Sequence, residues 1–360
     1  MKKKIVILPG DGIGKEVTNE GKRVLETVAT IFGHQFEFEE ALIGHHAIVA
    51  SNNPLPQETL EKAKNCDAIL FGAVGHPDYD NNPTLKIRPE QGLLKIRKEL
   101  GLYANIRPIR LFEELLDASS IKSEIISGSD IMFFRELTGD VYFGEKGRQN
   151  NGDTAFDMMV YSKFEVERIS HRAFTAAQKR RKKVTSVDKA NVLESSRLWR
   201  EVVTQVSKQY DDVVLENQFV DSAAMRLIKD PRSFDVVLTG NLFGDILTDE
   251  ASQIAGSMGM LSSASLGDTV GLYEPIHGSA HDIAGKAIAN PLASILSVAL
   301  MFELSFELME ESQVIIQSVE NVLKQGYRTK DIADNKTQKE KILKTHEMGD
   351  VIIKELMKKP

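Results

Sequence analysis

The sequence has 360 residues, 42% of them hydrophobic and 27% charged, as in an ordinary globular protein long enough for two domains. Its formal net charge of −7 argues against nucleic acid as a partner and leaves no basic surface for a membrane. The longest apolar stretch, around 292–304, is too short for a membrane span. The single cysteine, Cys66, excludes an intramolecular disulfide, and the N-terminus lacks a signal-peptide core. We therefore expect a cytoplasmic protein.

Short β-rich segments alternate with helical patterns along the chain, which predicts an α/β protein with a mostly parallel sheet. Strands are predicted at 4–8, 36–40, 68–73, 131–137, 183–189, 212–217 and 235–240. Helices are predicted at 13–31, 57–64, 163–180, 194–209 and 291–307. Residues 143–162 hold a Gly/Asn-rich turn between two extended segments. We interpret them as a protruding hairpin, which is either a clasp between subunits or an ordinary surface hairpin.

The segment LPGDGIG (8–14) follows the first strand but fails the dinucleotide-binding fingerprint. Its glycines give G-x-G-x-G, and Lys15 stands where the third glycine of G-x-G-x-x-G belongs. We therefore do not predict a Rossmann domain, although a glycine backbone can approach a ligand closely.

One face of a predicted helix in 88–108 combines a carboxylate, two leucines and a guanidinium. The residues at i, i+3, i+4 and i+7 are Glu90, Leu93, Leu94 and Arg97. The stripe is either part of the core or the wall of a pocket for a ligand with a branched apolar group and a carboxylate. Arg107 and Arg135 add two guanidiniums, whose planar forks suit carboxylates.

Asp245 and Asp249 lie four residues apart, just after the strand predicted at 235–240, so both carboxylates share one helix face. Like charges at this spacing repel unless a cation lies beside them. Because the pair follows the carboxyl end of a strand, it is either a site for Mg²⁺ or Mn²⁺ or a solvated acidic helix face, and the pair alone favours the solvated face. Asp221 is a third candidate carboxylate, and Lys189, at the end of its strand, is a candidate base.

Six segments together carry a resemblance to a known family. They are GAVGHPDYD (72–80), EQGLLKIRKELGLYANIRPI (90–109), RELTGDVYFGE (135–145), SVDKANVLESSRLWREV (186–202), TGNLFGDILTDEAS (239–252) and EPIHGSAHDIAGKAIANP (274–291). In this order they resemble the β-decarboxylating dehydrogenases of the isocitrate/isopropylmalate family. The resemblance extends from Lys4 to residues 347–350.

The resemblance implies a two-lobed open α/β sandwich of that family's type, distinct from a Rossmann fold, with a protruding β-hairpin clasp. The first lobe would comprise 1–102 and 256–360, with both termini and the NAD-binding site. The second, 103–255, would carry the dimer contact, the hairpin at about 140–162 and the metal aspartates.

The same resemblance implies an activity: oxidative decarboxylation of 3-isopropylmalate with reduction of NAD⁺, in leucine biosynthesis, by a homodimer with shared active sites. Arginines would bind the substrate carboxylates, namely Arg97, Arg107 and Arg135. Apolar residues would enclose the isopropyl group, namely Leu93, Leu94 and Val192. Tyr142 and Lys189 would transfer protons. Mg²⁺ or Mn²⁺ would be held by Asp245, Asp249 and the partner's Asp221, and Lys189 too would come from the partner.

NAD⁺ rather than NADP⁺ is implied, because Asp282 would pair with the ribose hydroxyls and repel a 2′-phosphate. Further cofactor contacts are implied at Ile13, Glu90, Glu274, His277, Gly278, Ser279, Ala280, Ala289 and Asn290. Three residues depart from the family pattern: His281 and Lys15 each replace a proline, and Ser222 replaces an asparagine. Loss of the proline at 281 removes a φ restriction, which predicts a looser adenosine loop and weaker NAD⁺ binding.

Two alternatives remain. Within the family, the chain could be a D-malate or tartrate dehydrogenase, although Leu93 and Leu94 favour a branched substituent. A non-catalytic nucleotide-binding regulator would be expected to have lost Lys189, Tyr142 or a metal aspartate, and all are present.

Overall fold

Strands and helices alternate along the chain, and each predicted strand and helix is present within three residues of its predicted bounds. The computed structural model describes residues 1–82 and 84–358. The strands are β1 (Lys2–Gly10), β2 (Gln35–Glu40), β3 (Ala68–Ala73), β4 (Ala104–Arg110), β5 (Asp130–Glu136), β6 (Lys146–Gln149), β7 (Thr154–Asp157), β8 (Lys183–Asp188), β9 (Val214–Phe219), β10 (Val236–Thr239), β11 (Ser262–Leu266) and β12 (Gly271–Pro275).

The α-helices range from one turn to five. They are α1 (Gly14–Phe32), α2 (His45–Ser51), α3 (Gln57–Lys64), α4 (Pro77–Asp80), α5 (Glu90–Glu99), α6 (Ser123–Ile126), α7 (Lys163–Gln178), α8 (Glu194–Ser207), α9 (Val220–Lys229), α10 (Asn241–Ala255), α11 (Leu292–Leu304), α12 (Met309–Lys324) and α13 (Thr345–Leu356). Short 3₁₀ helices cover Glu113–Ala118, Asn150–Gly152, Pro231–Ser233, Met258–Met260, Lys330–Ile332 and Lys339–Lys341.

The chain divides into two units. Unit 1 comprises Met1–Leu102, Phe112–Ser119 and Ala255–Pro360, and unit 2 comprises Tyr103–Leu111 and Ser120–Ile254.

In unit 1, five strands lie in the order β2-β1-β3-β12-β11, and of their pairings only that of β11 with β12 is antiparallel. Helix α11 packs against α1, α12 and the strands β11 and β12. Its sequence is apolar on every side, and residues from Leu292 to Phe302 are buried, as expected for a central helix. Helix α1 instead buries one stripe and ends at Gly33, whose φ of 71° is the left-handed conformation that glycine favours at a helix end.

In unit 2, five strands lie in the order β4-β5-β10-β8-β9, with β4 antiparallel to β5 and the other pairs parallel. Helices α7 and α8 pack on these strands and on each other. Helix α7 begins with a reciprocal capping box between Ser162 and Glu165. The Trp199 side chain of α8 is buried, and its Nε1 donates to Ser186 Oγ at 3.1 Å.

Three strands were not predicted: β4, β11 and β12. Strand β4 contains Pro108 and Arg107, and β11 contains three buried serines, so neither has the alternating apolar pattern of an isolated strand. Their neighbours in the sheet supply the hydrogen bonds that make them strands.

The glycine turn of residues 8–14 packs against protein backbone. A Cβ at Gly10 would lie 1.9 Å from Ala73 O, and a Cβ at Gly12 would lie 1.9 Å from Ser279 O. Both residues have positive φ, 70° and 57°. The glycines are therefore required by close packing of the chain on itself.

Strands β6 and β7 form a separate two-stranded antiparallel sheet, joined by the 3₁₀ turn Asn150–Gly152. The predicted hairpin thus exists, with strands of four residues each. Among residues 1–82 and 84–358, no helix is long and apolar enough to cross a membrane.

Candidate active site

Arg107 and Arg135 share one face of the sheet in unit 2 because of the register between β4 and β5. Asn105 lies opposite Arg135 in this antiparallel pair, and Arg107 is two residues further along β4. Residues two apart point to the same face, and so do directly opposite residues. Arg107 and Arg135 are 5% and 2% exposed, and Arg107 Nε donates to Asn105 Oδ1 at 2.7 Å. The register therefore places two buried guanidiniums side by side.

Asp245 of α10 lies against both arginines. Its Oδ1 accepts from Arg135 Nη1 and lies 3.5 Å from Arg107 Nη2, while its Oδ2 accepts from the Tyr142 hydroxyl at 2.7 Å. Asp249, one turn further, lies 3.8 Å from Arg107 Nη1. The repulsion expected between the two aspartates is thus offset by guanidiniums of the chain itself.

The arginines are held by uncharged partners as well. Asn241, the first residue of α10, accepts from Arg135 Nε at 3.0 Å and from Nη2 at 2.7 Å. Thr248 Oγ1 accepts from Arg107 Nη1 at 2.5 Å. Asn105 and Thr248 were not predicted as site residues. The sequence signal for Thr248 is its position i+3 from Asp245 on a helix, whereas Asn105 has no such signal because β4 was not predicted as a strand.

Tyr142 is protonated at neutral pH. Burial raises the pKa of Tyr142 to about 12, and the hydrogen bond to the Asp245 carboxylate acts in the same direction. Partial burial also raises the pKa of Asp249, opposed by Arg107 and reinforced by the Asp245 charge.

The Asp245–Asp249 pair offers carboxylate oxygens of the kind that a hard divalent cation takes, and Asp249 is 55% exposed at its side chain. Within the described part of the chain, no group of three or more His, Cys, Asp or Glu side chains is arranged to hold a metal ion. The residues fit a divalent cation only if further ligands come from substrate, water or a second subunit.

Lys189 and Asp221 form a second polar pair in unit 2. Lys189 follows β8, Asp221 lies in the first turn of α9, and Lys189 Nζ is 2.8 Å from Asp221 Oδ1. The hydrogen bond from Lys189 lowers the pKa of Asp221. Asp221 does not join Asp245 and Asp249 in a described metal-binding group. Val192, close to Lys189 in sequence, is exposed.

In unit 1, helix α5 places Arg97 against Glu274 of β12. Arg97 Nη2 donates to Glu274 Oε1 at 2.8 Å, and the buried Arg97 Nε has no hydrogen-bond partner. Leu93 packs partly on the core cluster of this unit, whereas Leu94 is half-buried outside it. Leu93 thus belongs partly to the core, and the interpretation of the stripe as a pocket wall stays a prediction.

The predicted cofactor residues of unit 1 gather around the loop 277–283. His277 Nε2 is buried without a hydrogen-bond partner, and burial lowers the pKa of this imidazole. Asp282 is exposed and makes no hydrogen bond or ion pair with any residue in the described ranges 1–82 and 84–358. An orphaned imidazole nitrogen and a free carboxylate are the groups that a base and a ribose diol would satisfy, so the loop fits a nucleotide.

The other predicted cofactor residues are mostly buried against neighbours. Ile13 packs with Val17 and Ala289, with Ala280 at the edge of this cluster. Ser279 O accepts a hydrogen bond from Ile13 N, and Asn290 Nδ2 donates one to Asp331. Glu90 Oε1 lies near Gly75, whereas Gly278 is exposed.

Buried guanidiniums beside a carboxylate pair, a protonated tyrosine and a nucleotide-compatible loop are features of an enzyme that acts on a small carboxylic acid with a cation and a nucleotide. The sequence model described as isocitrate/isopropylmalate dehydrogenase matches residues 4–352, and the chain belongs to this family.

Individual relatives agree with this assignment. The chain is 57% identical over 337 residues to a 3-isopropylmalate dehydrogenase from Shouchella clausii, covering 92% of each. It is 54% identical over 360 residues to a 3-isopropylmalate dehydrogenase from Rhodopirellula baltica, covering 99% of each. The crystal structure of isocitrate dehydrogenase from Methylococcus capsulatus superposes with a TM-score of 0.86 at 31% identity, covering 98% of this chain and 99% of that one. The resemblance and the α/β fold class predicted from the sequence are thus confirmed.

The arginine contacts predict different stability effects for the two aspartates of α10. Asp245→Ala should lower the free energy of unfolding by about 2 kcal/mol, less than for a fully buried pair because Asp245 keeps 36% of its side chain exposed. Asp249→Ala, the matched control on the same helix face, should change it by less than about 0.5 kcal/mol. Urea unfolding of the metal-free protein measures both, and equal losses would contradict the central position assigned to Asp245.

Proposed function

We propose that this chain catalyses the NAD⁺-dependent oxidative decarboxylation of 3-isopropylmalate to 4-methyl-2-oxopentanoate and CO₂, in leucine biosynthesis. The observation that carries the proposal is the Asp245 cluster, with two buried arginines and a protonated tyrosine, in a chain more than half identical to proteins of that activity. A D-malate or tartrate dehydrogenase is not favoured, because these relatives bear the isopropylmalate name.

In this proposal the substrate carboxylates are bound by guanidiniums, because a planar fork holds both oxygens of a carboxylate. We propose this role for Arg107 and Arg135 in unit 2, which would exchange part of their present contacts with Asp245, Asn241 and Thr248 for the substrate, and for Arg97 in unit 1. The isopropyl group would be enclosed by Leu93, Leu94 and Val192.

Proton transfer would use two groups of opposite character. Lys189 would accept the proton of the substrate hydroxyl. Tyr142 keeps its proton at neutral pH, since its pKa is raised to about 12, and it would donate to the carbon that loses CO₂. Asp245, which accepts from the Tyr142 hydroxyl at 2.7 Å, fixes the orientation of this donor.

Mg²⁺ or Mn²⁺ would be held by Asp245, Asp249 and a partner's Asp221, and when bound would supply positive charge where the substrate oxygen becomes anionic. NAD⁺, the proposed hydride acceptor, would lie on unit 1 along the loop 277–283, with Asp282 reading the ribose. We propose accordingly that unit 1 is the NAD-binding lobe and unit 2 the dimerisation lobe. The proposed location is the cytoplasm, consistent with the single cysteine.

We propose a homodimer with shared active sites because unit 2 exposes large apolar side chains and because Lys189 pairs with Asp221 within the chain. The exposed apolar residues are Met158, Val160, Phe164, Val192, Val214, Met225, Ile228 and Ile246. Burial of such side chains in a subunit contact would be favourable. Lys189 and Asp221 would then complete the Asp245–Asp249 site of the other protomer.

A complementation experiment tests the shared site. Lys189→Met and Tyr142→Phe should each be nearly inactive alone, whereas a heterodimer of the two should contain one intact site and show about half of the wild-type activity. Two affinity tags in tandem purification isolate the heterodimer, and each tagged homodimer is the control. An inactive heterodimer would place Lys189 and Tyr142 of one chain in the same site.

Substrate choice is tested at Leu94. Leu94→Ala should lower kcat/KM for 3-isopropylmalate by about 10-fold, with little change for D-malate, which has no branched group to bury. Leu100→Ala is the matched control, because Leu100 follows α5 and packs on the core cluster instead. Equal losses on both substrates would assign Leu94 a purely structural role.

Cofactor choice is tested at Asp282. Asp282→Lys with Ile283→Tyr should shift the ratio of kcat/KM values from NAD⁺ towards NADP⁺ by about tenfold or more, because a repelling carboxylate becomes a phosphate-binding ammonium. Ile283→Tyr alone is the control for side-chain size. An unchanged ratio in the double variant would show that the ribose is read elsewhere.

A further inference from the structure

Four of the eight histidines of the chain form one cluster in unit 1, and the proposed reaction uses none of them. The rings of His45 and His76 are stacked, with centroids 4.0 Å apart and planes at 18°. The ring of His281 meets His76 edge-on at 4.5 Å, and His46 lies next to His45 at 5.7 Å.

Asp11 anchors one side of this cluster. It is fully buried and accepts from the backbone N–H groups of His45 at 2.9 Å, His46 at 3.2 Å and Gly75 at 3.0 Å. Its Oδ1 also lies 3.0 Å from His46 Nδ1. One carboxylate thus fixes the start of α2 to the segment that follows β3.

His281 extends this anchor to the loop 277–283. Its Nε2 lies 2.7 Å from Gly75 O, and because a carbonyl only accepts, Nε2 carries the proton. Gly75 therefore connects Asp11, through its N–H, with His281, through its C=O. Residues next to His281 need such support: Ala280 has a φ of 40°, a left-handed conformation unfavourable for a residue with a Cβ, and Asp282 is exposed.

We propose that His281 is a positioning residue for the nucleotide cofactor, holding Asp282 in place through its hydrogen bond to Gly75 and its edge contact with His76. The inference rests on the proposed binding of NAD⁺ by Asp282. Loss of the proline at 281 removes a restriction on φ, which by itself would loosen the loop. A hydrogen bond between residues 206 apart in sequence provides a different restraint at the same position.

The state of the neighbouring rings is consistent with this role. His76 Nδ1 accepts from Asp78 N at 3.3 Å, and burial, with the nearby His76, lowers the pKa of His45. The lowered pKa favours the neutral form of His45, which can stack on the His76 ring without charge repulsion. Within residues 1–82 and 84–358 these histidines are not arranged to hold a metal ion.

The test is calorimetric titration of NADH into the metal-free protein, with steady-state kinetics alongside. His281→Ala should raise the Kd for NADH and the KM for NAD⁺ by about 3- to 10-fold, as for the loss of one neutral hydrogen bond. The kcat at saturating NAD⁺ and the KM for 3-isopropylmalate should not change, because no group that touches the substrate is altered.

Two amide variants separate positioning from bulk. In His281→Gln the side-chain NH₂ occupies the place of Nε2 and can donate to Gly75 O, so most of the affinity should return. In His281→Asn the NH₂ occupies the place of Nδ1, and affinity should stay as low as in the alanine variant. Equal affinities of the two amide variants would overturn the assigned hydrogen bond.

A double-mutant cycle tests the contact with His76. His76→Ala should weaken NADH binding in the wild type and have less effect when His281 is already alanine. His171→Ala on α7 is the control, because it removes an imidazole remote in sequence that pairs with Tyr210. If the effects of His76→Ala and His281→Ala on NADH binding are additive, the contact between the two rings does not contribute to positioning.

The two proposals fail in different ways. A wild-type protein that binds NADH but does not oxidise 3-isopropylmalate would overturn the proposed function. An active wild type with an unchanged Kd for NADH in His281→Ala would overturn the present inference alone.

Discussion

The position of Asp245 between Arg107, Arg135 and Tyr142 is the constraint on which the candidate site depends. Two guanidiniums buried at 5% and 2% exposure need a compensating anion, and Asp245 provides it while also accepting the tyrosine hydroxyl. Burial and the same contact raise the pKa of Tyr142, and the side chain of Asp249 is exposed to solvent. Charge balance thus organises acid, anion-binding groups and candidate cation ligands together.

Lys189 and Asp221 differ from this cluster, because within the chain each balances the charge of the other. Their 2.8 Å ion pair gives a stable arrangement for an isolated protomer, and a cation bound at Asp221 would release the ammonium from it. In the proposed shared site, Lys189 released in this way would be free to act as the base. The exposed apolar side chains of unit 2, such as Phe164 and Met225, lie on the same unit as this pair.

Unit 1 shows how a departure from a family pattern can be offset by distant residues. The proline expected at 281 acts through its own φ, whereas His281 acts through Gly75 and, beyond it, the buried Asp11. The φ restriction of a proline and the hydrogen bond of His281 both restrain the same loop, but only the histidine connects this loop to the segment after β3. Cofactor affinity would then depend on side chains that never touch the cofactor.

The sequence by itself determined the five helices and seven strands predicted with bounds and the pair of aspartates, because periodicity and i, i+4 spacing are local properties. It also identified every arginine of the site. Only the tertiary structure decided that Arg107 and Arg135 lie together, since the register of β4 on β5 is set by pairing between distant segments. For the same reason, β4, β11 and β12 are strands although they have no alternating pattern, and His281 donates a hydrogen bond to the distant Gly75. Hydrogen bonds between residues far apart in sequence leave no local signature, so these features arise only when the chain folds.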